Sequence, residues 1–512
     1  MQQHHLRTLA GVALSALVIA TTVPRLVRAQ QKPMAIPSSV PLPQGTFNPN
    51  ATISLPPASQ PTSMPYPAYG TPVPGVNGGE VDPGVPQVAT LDQSIAIGYA
   101  RSPLLAQARA QLQIETAPVE LARTGLLPSI TGSASTAREH SQDGARTTTG
   151  TTTGTTVGTT TSTAPLSFTS NALSVTLQQL IYDGGRIAAD IRAAKNNQSA
   201  QAATYKRELQ TVAYNVANAY YNSLAAQRAT AVAVQTVLVD QTNENLVAAQ
   251  IRAGTAAKAD LATAQLPTAQ ARVAVIRDQG AELSAQAAFA NAMGLDSNTA
   301  VLPRDDTPVN GAPVTSNVAI PTYAQAIARA IALRPDVTAA AFTVSGLQAS
   351  LRAAALTSFP TLSGSATAST ASTDLTGGTF RNNSSIGVAL SIPIYDQGIV
   401  AADVAQARGN LALGIANQQS IVEGVQLNVK QTLVSLVSAR AALTSADAEL
   451  AEAQVVLKST QAQYRAGVTT LPLLLNAQVG LTQALTDQST SVYTLRQAEQ
   501  AFLYAEGANG AP

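Results

Sequence analysis

The sequence predicts a mainly α-helical chain with a smaller β portion, arranged as two tandem repeats of helix–strand–strand–long helix–helix. Three observations predict it. One segment order occurs twice at a nearly fixed offset. Short runs alternate apolar with small polar residues, the period of a strand. And from Arg186 to Arg252 there is neither Pro nor Gly, a run of 67 residues that would make a helix of about 100 Å.

The repeat is explicit. Leu177-Gln178-Gln179-Leu180-Ile181-Tyr182-Asp183-Gly184-Gly185 matches Leu390-Ser391-Ile392-Pro393-Ile394-Tyr395-Asp396-Gln397-Gly398, an offset of 213. Gln250-Ile251-Arg252-Ala253-Gly254 matches Gln463-Tyr464-Arg465-Ala466-Gly467 at the same offset. Upstream the offset becomes 232, since Pro103 and Pro128 match Pro335 and Pro360. The first copy therefore carries 19 extra residues, which fall in the Thr/Gly tract near 147–165. That tract reads as a solvated loop.

Composition excludes several function classes. There is no Cys, and of three His only His140 lies away from the N-terminus. Disulfides, thiolate metal sites and catalytic Cys are ruled out. No cofactor is expected: no Gly-rich phosphate loop and no cluster of metal ligands exists. No catalytic constellation stands out, so the chain does not read as an enzyme. Charged residues are only 12% and the net charge is +1, which gives no electrostatic case for nucleic acid.

The elements follow in order. Residues 1–29 read as a signal peptide, with Arg7 before an apolar core at Leu9–Ala20 and small residues Val27 and Ala29 at the cleavage site. A retained membrane anchor is the other reading. Residues 30–88 hold 14 of the 29 prolines and read as a disordered tether. Repeat 1 spans 89–300, a connection 301–320, repeat 2 321–506, and a tail 507–512. Each repeat opens with an Ala-rich helix, Leu91–Leu126 or Tyr323–Leu356. Strands follow near Ile130–Ala137 and Leu173–Leu177, then near Leu362–Thr370 and Ile386–Ile394. The apolar and small-polar alternation suits a membrane barrel strand or a half-buried soluble hairpin. A long helix then runs over Arg186–Arg252 or Val400–Arg465. A second returns over Lys258–Met293 or Leu471–Glu506. These helices are rich in Ala, Gln, Ser and Asn and poor in Glu and Lys, a composition suited to close packing and a wetted lumen.

Taken together, the doubled layout resembles the TolC-like outer-membrane efflux protein family. The marks are the Ile-Tyr-Asp-x-Gly turns ending at Gly185 and Gly398, Ala219-Tyr220-Tyr221-Asn222-Ser223-Leu224-Ala225-Ala226-Gln227, and Ala332-Leu333-Arg334-Pro335-Asp336-Val337. The Arg-x-Gly turns at Gly254 and Gly467 complete the set. The resemblance implies a homotrimer. Its twelve-stranded β-barrel sits in outer-membrane lipid and continues into a periplasmic α-helical tunnel. Such a trimer also removes the open edges that four strands alone would leave in lipid.

The resemblance also implies partners and sites. The location is the outer membrane of a Gram-negative bacterium. The partners are a periplasmic membrane-fusion adaptor and an inner-membrane pump of RND, ABC or MFS type. The function is a passive exit duct for small molecules. Type I protein secretion is an alternative, and a periplasmic coiled-coil adaptor or scaffold is a different-class alternative. Docking falls on the helical turns: Arg252, Gly254, Thr255, Arg465, Gly467 and Val468. Tyr464 and Asp260 match the family's gate residues, with a Tyr464–Asp260 hydrogen bond between neighbouring coils as the expected closing contact. Thr469, Leu473 and Asn476 replace the Arg and the Asp pair of well-studied members. Leu473 and Asn476 would thus form an uncharged entrance ring.

Overall fold

The structure is a computed structural model and describes residues 87–141, 145–148, 160–163, 166–305, 318–372 and 380–509. The signal peptide, most of the tether and the end of the tail lie outside these residues. All described residues belong to one compact unit, Pro72–Pro512.

Strand β1 (Val88–Ala89) pairs in parallel with β6 (Leu302–Pro303). The end of the tether, at Val88, and the start of the inter-repeat connection are thus paired to each other. Two residues are too few for any alternation to show in sequence.

The opening helix of repeat 1 is three helices rather than one: α1 (Leu91–Arg101), α2 (Pro103–Ile114) and α3 (Ala117–Thr124). Pro103 has no N–H to continue α1 and instead starts α2, where a missing donor costs nothing. The opening helix of repeat 2 divides in the same way into α6 (Tyr323–Leu333) and α7 (Pro335–Leu356). Thr90 and Thr322 cap α1 and α6 through reciprocal bonds with Gln93 and Gln325, a capping box in each repeat.

The long helices are α4 (Arg186–Arg252) and α8 (Ile399–Arg465), 67 residues each. Their return helices are α5 (Lys258–Ala292) and α9 (Leu471–Glu506). What starts the long helices is the repeated turn. Asp183 accepts from the amides of Gly185 at 2.9 Å and Ile187 at 2.6 Å. Asp396 accepts from Gly398 at 3.0 Å and Val400 at 2.8 Å. Each carboxylate satisfies orphan donors and faces the positive end of the helix dipole. Amides of Val400 and Gly398 hold Asp396 below the usual carboxylate range.

Left-handed residues mark the repeat better than side chains do. The described residues with positive φ are Gly184, Gly185, Gly254 and Gly294 in repeat 1, and Gln397, Gly398, Gly467 and Gly507 in repeat 2. They form four pairs at the offset of 213. The last pair closes α5 and α9 against the start of α2 and α7. A Cβ on Gly294 would lie 2.6 Å from the Arg101 carbonyl oxygen, so only Gly fits.

A four-stranded antiparallel sheet runs β2 (Ser129–Ser141), β5 (Leu166–Tyr182), β7 (Thr361–Ser372), β8 (Arg381–Ser391). The last strand stops at Ser391, short of the expected Ile394, because Pro393 cannot donate to a ladder. The helices joined to these strands, α3, α4, α7 and α8, pack in the same lateral order. Each strand is thus continued by one helical stave. In the Thr-rich tract, expected as loop, β3 (Ala145–Thr148) and β4 (Thr160–Thr163) form a small antiparallel pair.

Four cores hold the described helices, the smallest being Ala233, Val237, Ala271 and Val275 between α4 and α5. Repeat 1 buries Leu105, Val216, Tyr220, Phe289 and Met293, joined by Tyr493 from α9. Repeat 2 buries Val429, Leu436, Leu495 and Phe502. Each such side chain contributes roughly 1.5–3 kcal/mol. The remaining core lies near the helical turns and is described below.

A hydroxyl-faced sheet and a pair of helical tips

The two faces of the sheet differ sharply in chemistry. Read across all four strands, one row is Ile130, Leu177, Ala366, Ile386. The next row on the opposite face is Thr131, Thr176, Thr367, Ser385. Beyond it comes Ser133, Ser174, Ser369, Asn383. Neighbouring hydroxyls bond across the strands: Ser133 with Ser174 at 2.7 Å, and Thr176 with Thr367 at 3.4 Å. The apolar face leaves Ile386 90%, Val388 67% and Leu390 61% exposed. Such a face in water would be a strong liability, and so would the open edges of β2 and β8. At one end of the sheet Ile181, Tyr182, Ile394 and Tyr395 continue the exposed apolar surface.

At the far end of the helices, the two tips are alike. Thr255 N–H donates to Gln250 O at 2.9 Å and Gly254 N–H to Ile251 O at 3.0 Å. Val468 N–H donates to Gln463 O at 2.9 Å and Gly467 N–H to Tyr464 O at 3.0 Å. Both are Schellman closures, which require a left-handed residue at the glycine. Arg252, Gly254, Thr255, Arg465, Gly467 and Val468 are all exposed. Val468 is 77% exposed, an apolar residue placed at the extremity.

The tips are packed side by side by a core of Val247, Ala264, Leu457, Tyr464, Leu471 and Leu474. Tyr464 is buried, and its hydroxyl donates to Gln250 Oε1 at 2.7 Å. Within the single chain the Tyr464 hydroxyl is thus engaged by Gln250. Asp260 instead accepts from the amide of Ala257 at 3.2 Å, which starts α5. Burial raises the Tyr464 hydroxyl pKa, and the Asp260 charge raises it further. Leu473 and Asn476 lie three residues apart on α9 and are both exposed, as is Gly480 one turn on.

Two polar clusters were not legible in the sequence. Between α4 and α9, Asn243 donates to Gln478, which donates to Asp240, all three buried. Burial pushes Asp240 up to about 6, against the lowering effect of the Gln478 bond. The second cluster explains the Arg334-Pro335-Asp336 motif. Arg334 forms two parallel bonds to Asp336, at 3.0 and 2.6 Å, and caps α9 through the Ala505 carbonyl at 3.2 Å. Arg207 stacks on Tyr504, 3.8 Å from the ring centre, and donates to the Tyr504 carbonyl at 3.1 Å. Burial would raise Asp336, but the bond and charge of Arg334 and the charge of Arg207 leave it lowered. Within the other family motif, Tyr220 packs edge-on against Phe289 at 5.6 Å, so that motif builds the core.

Among the described residues no cluster of metal ligands occurs, and no helix is long and apolar enough to cross a membrane. Comparison with known proteins agrees with the architecture. The family model described as "Outer membrane efflux protein" matches residues 99–295 and 326–508, more than half the chain. The chain is 24% identical over 420 residues to the outer membrane efflux protein BepC of Brucella suis biovar 1, covering 80% of this chain and 85% of that one. A crystal structure of a membrane protein from Pseudomonas aeruginosa superposes with a TM-score of 0.69 at 20% identity, covering 86% of this chain and 99% of that chain. The open state of the MtrE outer membrane channel of Neisseria gonorrhoeae gives 0.65 at 19% identity, covering 82% and 89%. The doubled helix-and-strand plan, the two-faced sheet and these matches together make the chain a member of the outer membrane efflux protein family, a non-enzymatic transport channel of the Gram-negative outer membrane.

Proposed function

We propose that three copies close into one barrel and one tunnel, and that the assembly is the passive exit duct of a tripartite efflux system. The observation that carries this reading is the sheet: its apolar face and its two unpaired edges, β2 and β8, are compatible with lipid only if neighbouring copies cover the edges. Head-to-tail pairing of β8 with the next copy's β2 closes the ring by cyclic symmetry. The hydroxyl face then lines the lumen with neutral groups that hydrate solutes without trapping ions. The staves continue that lumen into the periplasm.

In this reading the exposed tips, Arg252–Thr255 and Arg465–Val468, dock a periplasmic adaptor, and the adaptor brings an inner-membrane pump of the RND, ABC or MFS type. The energy for transport comes from the pump. Tyr464, Asp260, Leu473 and Asn476 form the constriction, with Leu473 and Asn476 giving it an uncharged rim. The exported cargo is small molecules, in keeping with the efflux family.

The absence of Cys makes a direct test simple. Outer-membrane fractions should contain a trimer that resists mild SDS and falls to monomer on heating. Val468→Cys and Thr255→Cys should each form a disulfide or bifunctional crosslink to a membrane-fusion adaptor in cells. A protein released from membranes by salt, or tips that crosslink to nothing while trimers form, would overturn the duct or its docking mode respectively.

A further inference from the structure

A groove of about 460 Å³ lies between α4 and α7, near the sheet end of the helices. Its charged lining is all of one sign: Arg192 and Lys195 on α4, and Arg352 on α7. No acid lines it. The side chains of these three cations have no hydrogen-bond or ion-pair partner among the described residues. Asp190, on the same stretch of α4, is engaged by Arg186 at 3.6 Å. Three unpaired cations around one concavity repel one another, and the chain is otherwise sparing with charge, at 12%. Asn196, Ser345 and Gln348 add neutral hydrogen-bonding groups to the same walls. The chemistry fits a phosphate-bearing anion: strong acceptors, compact, and best held by Arg.

Its height on the molecule narrows the source. Arg192 and Lys195 lie roughly 9 and 14 Å along α4 from its start at Arg186, and Arg352 lies roughly 6 Å from the end of α7 at Leu356. The exposed apolar residues of the sheet lead up to these points through Ile181, Tyr182, Ile394 and Tyr395, with Ile399 opening α8. Exposed Tyr at such a border marks a membrane–water interface. A headgroup layer of roughly 5–8 Å follows the hydrocarbon. Long Arg and Lys side chains reach back over that distance.

We propose that the groove bounded by Arg192, Lys195 and Arg352 binds the phosphate of an anionic phospholipid headgroup in the periplasmic leaflet of the outer membrane. This inference rests on the membrane-barrel reading above. It adds to that reading a specific lipid site, three per trimer, where the barrel joins the tunnel. The lipid would anchor α4 to α7 at the point where the staves emerge from the bilayer.

Native mass spectrometry of the full-length mature protein in detergent tests it, because one spectrum reports both subunit count and bound lipid. The probes are phosphatidylglycerol, phosphatidylcholine and soluble inorganic phosphate. The trimer should retain phosphatidylglycerol in preference to phosphatidylcholine. The triple variant Arg192→Gln, Lys195→Gln, Arg352→Gln should lose that preference by about tenfold or more. A second triple variant, Arg408→Gln, Lys430→Gln, Lys458→Gln, controls for total charge and should keep it. Equal retention of both lipids by an intact trimer overturns the site alone. So does a preference unchanged in the first variant. Displacement of the lipid by millimolar inorganic phosphate overturns the assignment to lipid in favour of a free anion. A protein that yields no trimer overturns the barrel reading and the site with it.

Discussion

Gln250 holds both ends of one relationship: its side-chain oxygen accepts from the Tyr464 hydroxyl at 2.7 Å, and its main-chain oxygen accepts from Thr255 at 2.9 Å. The side chain faces the other repeat, and the carbonyl closes its own tip. A movement of α8 against α4 therefore acts on the residue that shapes the first tip.

If Tyr464 belongs to the closing contact, Tyr464→Phe removes one neutral hydrogen bond, about 0.5–1.5 kcal/mol. The open fraction of channels in planar bilayers should rise about two- to tenfold. Gln250→Ala should do the same, and the double variant should exceed neither single variant by much, because both break one bond. Recordings indistinguishable from the parent would remove Tyr464 from the gate.

Asp240 offers a pH signature. Its folded pKa, about 6, lies above the ordinary value of 3.8. The folded state then binds the proton more tightly than the unfolded state, so the contribution of Asp240 to stability is fullest below about pH 4 and is lost as pH rises from about 4 to 6. Asp240→Asn keeps a partner for Gln478 without the charge. At pH 7.5 its melting temperature should exceed the parent's by about 2 °C or more, and the gap should shrink at pH 4. Calorimetry at the two pH values measures this, and a gap independent of pH counts against the buried charge.

The Arg334–Asp336 pair should behave as a structural clasp. Arg334→Ala leaves the Asp336 carboxylate without its bidentate partner and the Ala505 carbonyl uncapped, at a cost of about 3–5 kcal/mol. Arg334→Lys should recover little, since an ammonium cannot make both parallel bonds. Asp336 is held low, so its contribution is present at neutral pH and fades as pH falls through its depressed folded pKa. Chemical denaturation of the three proteins would show the order.

Two glycines separate strain from crowding. Gly254 and Gly294 share φ near +74°, at 73° and 75°. Nothing lies near a Cβ at Gly254, whereas at Gly294 the Arg101 carbonyl oxygen is 2.6 Å away. Gly254→Ala should cost about 1–2 kcal/mol. Gly294→Ala should cost clearly more and lower the melting temperature further. Equal losses would mean that the α1–α2 junction yields freely.

Much of this architecture is written in local signals. The termini of α4, α8 and α9 follow from a long stretch without Pro, or from Gly and Pro placed at the ends. The sheet followed from alternation, though only the register revealed that every hydroxyl in a row faces the same side. What was missed is non-local or very short. Asp240 and Gln478 are 238 positions apart and belong to different repeats. Arg334 stands in a motif that marks the family, but its role of capping α9 at the Ala505 carbonyl, 171 positions away, is set only by the fold. Pro103 splits one Ala-rich helical period into α1 and α2, because the apolar spacing continues across the proline while the backbone hydrogen bonds cannot. At the tips the sequence located the turns, while the partner of Tyr464 depended on which side chain the packing brought within reach.

The β5–β7 pairing carries a kinetic consequence. Thr176 meets Thr367 across 191 positions, and the intervening chain contains α4 and α5. Closing so long a loop is entropically costly and slow, whereas each helical hairpin forms from nearby residues. The helical staves should therefore assemble first and carry the strands together. Until then the two local strand pairs, β2–β5 and β7–β8, remain unjoined with their amphipathic faces and edges uncovered, the interval in which the chain most needs a holding chaperone.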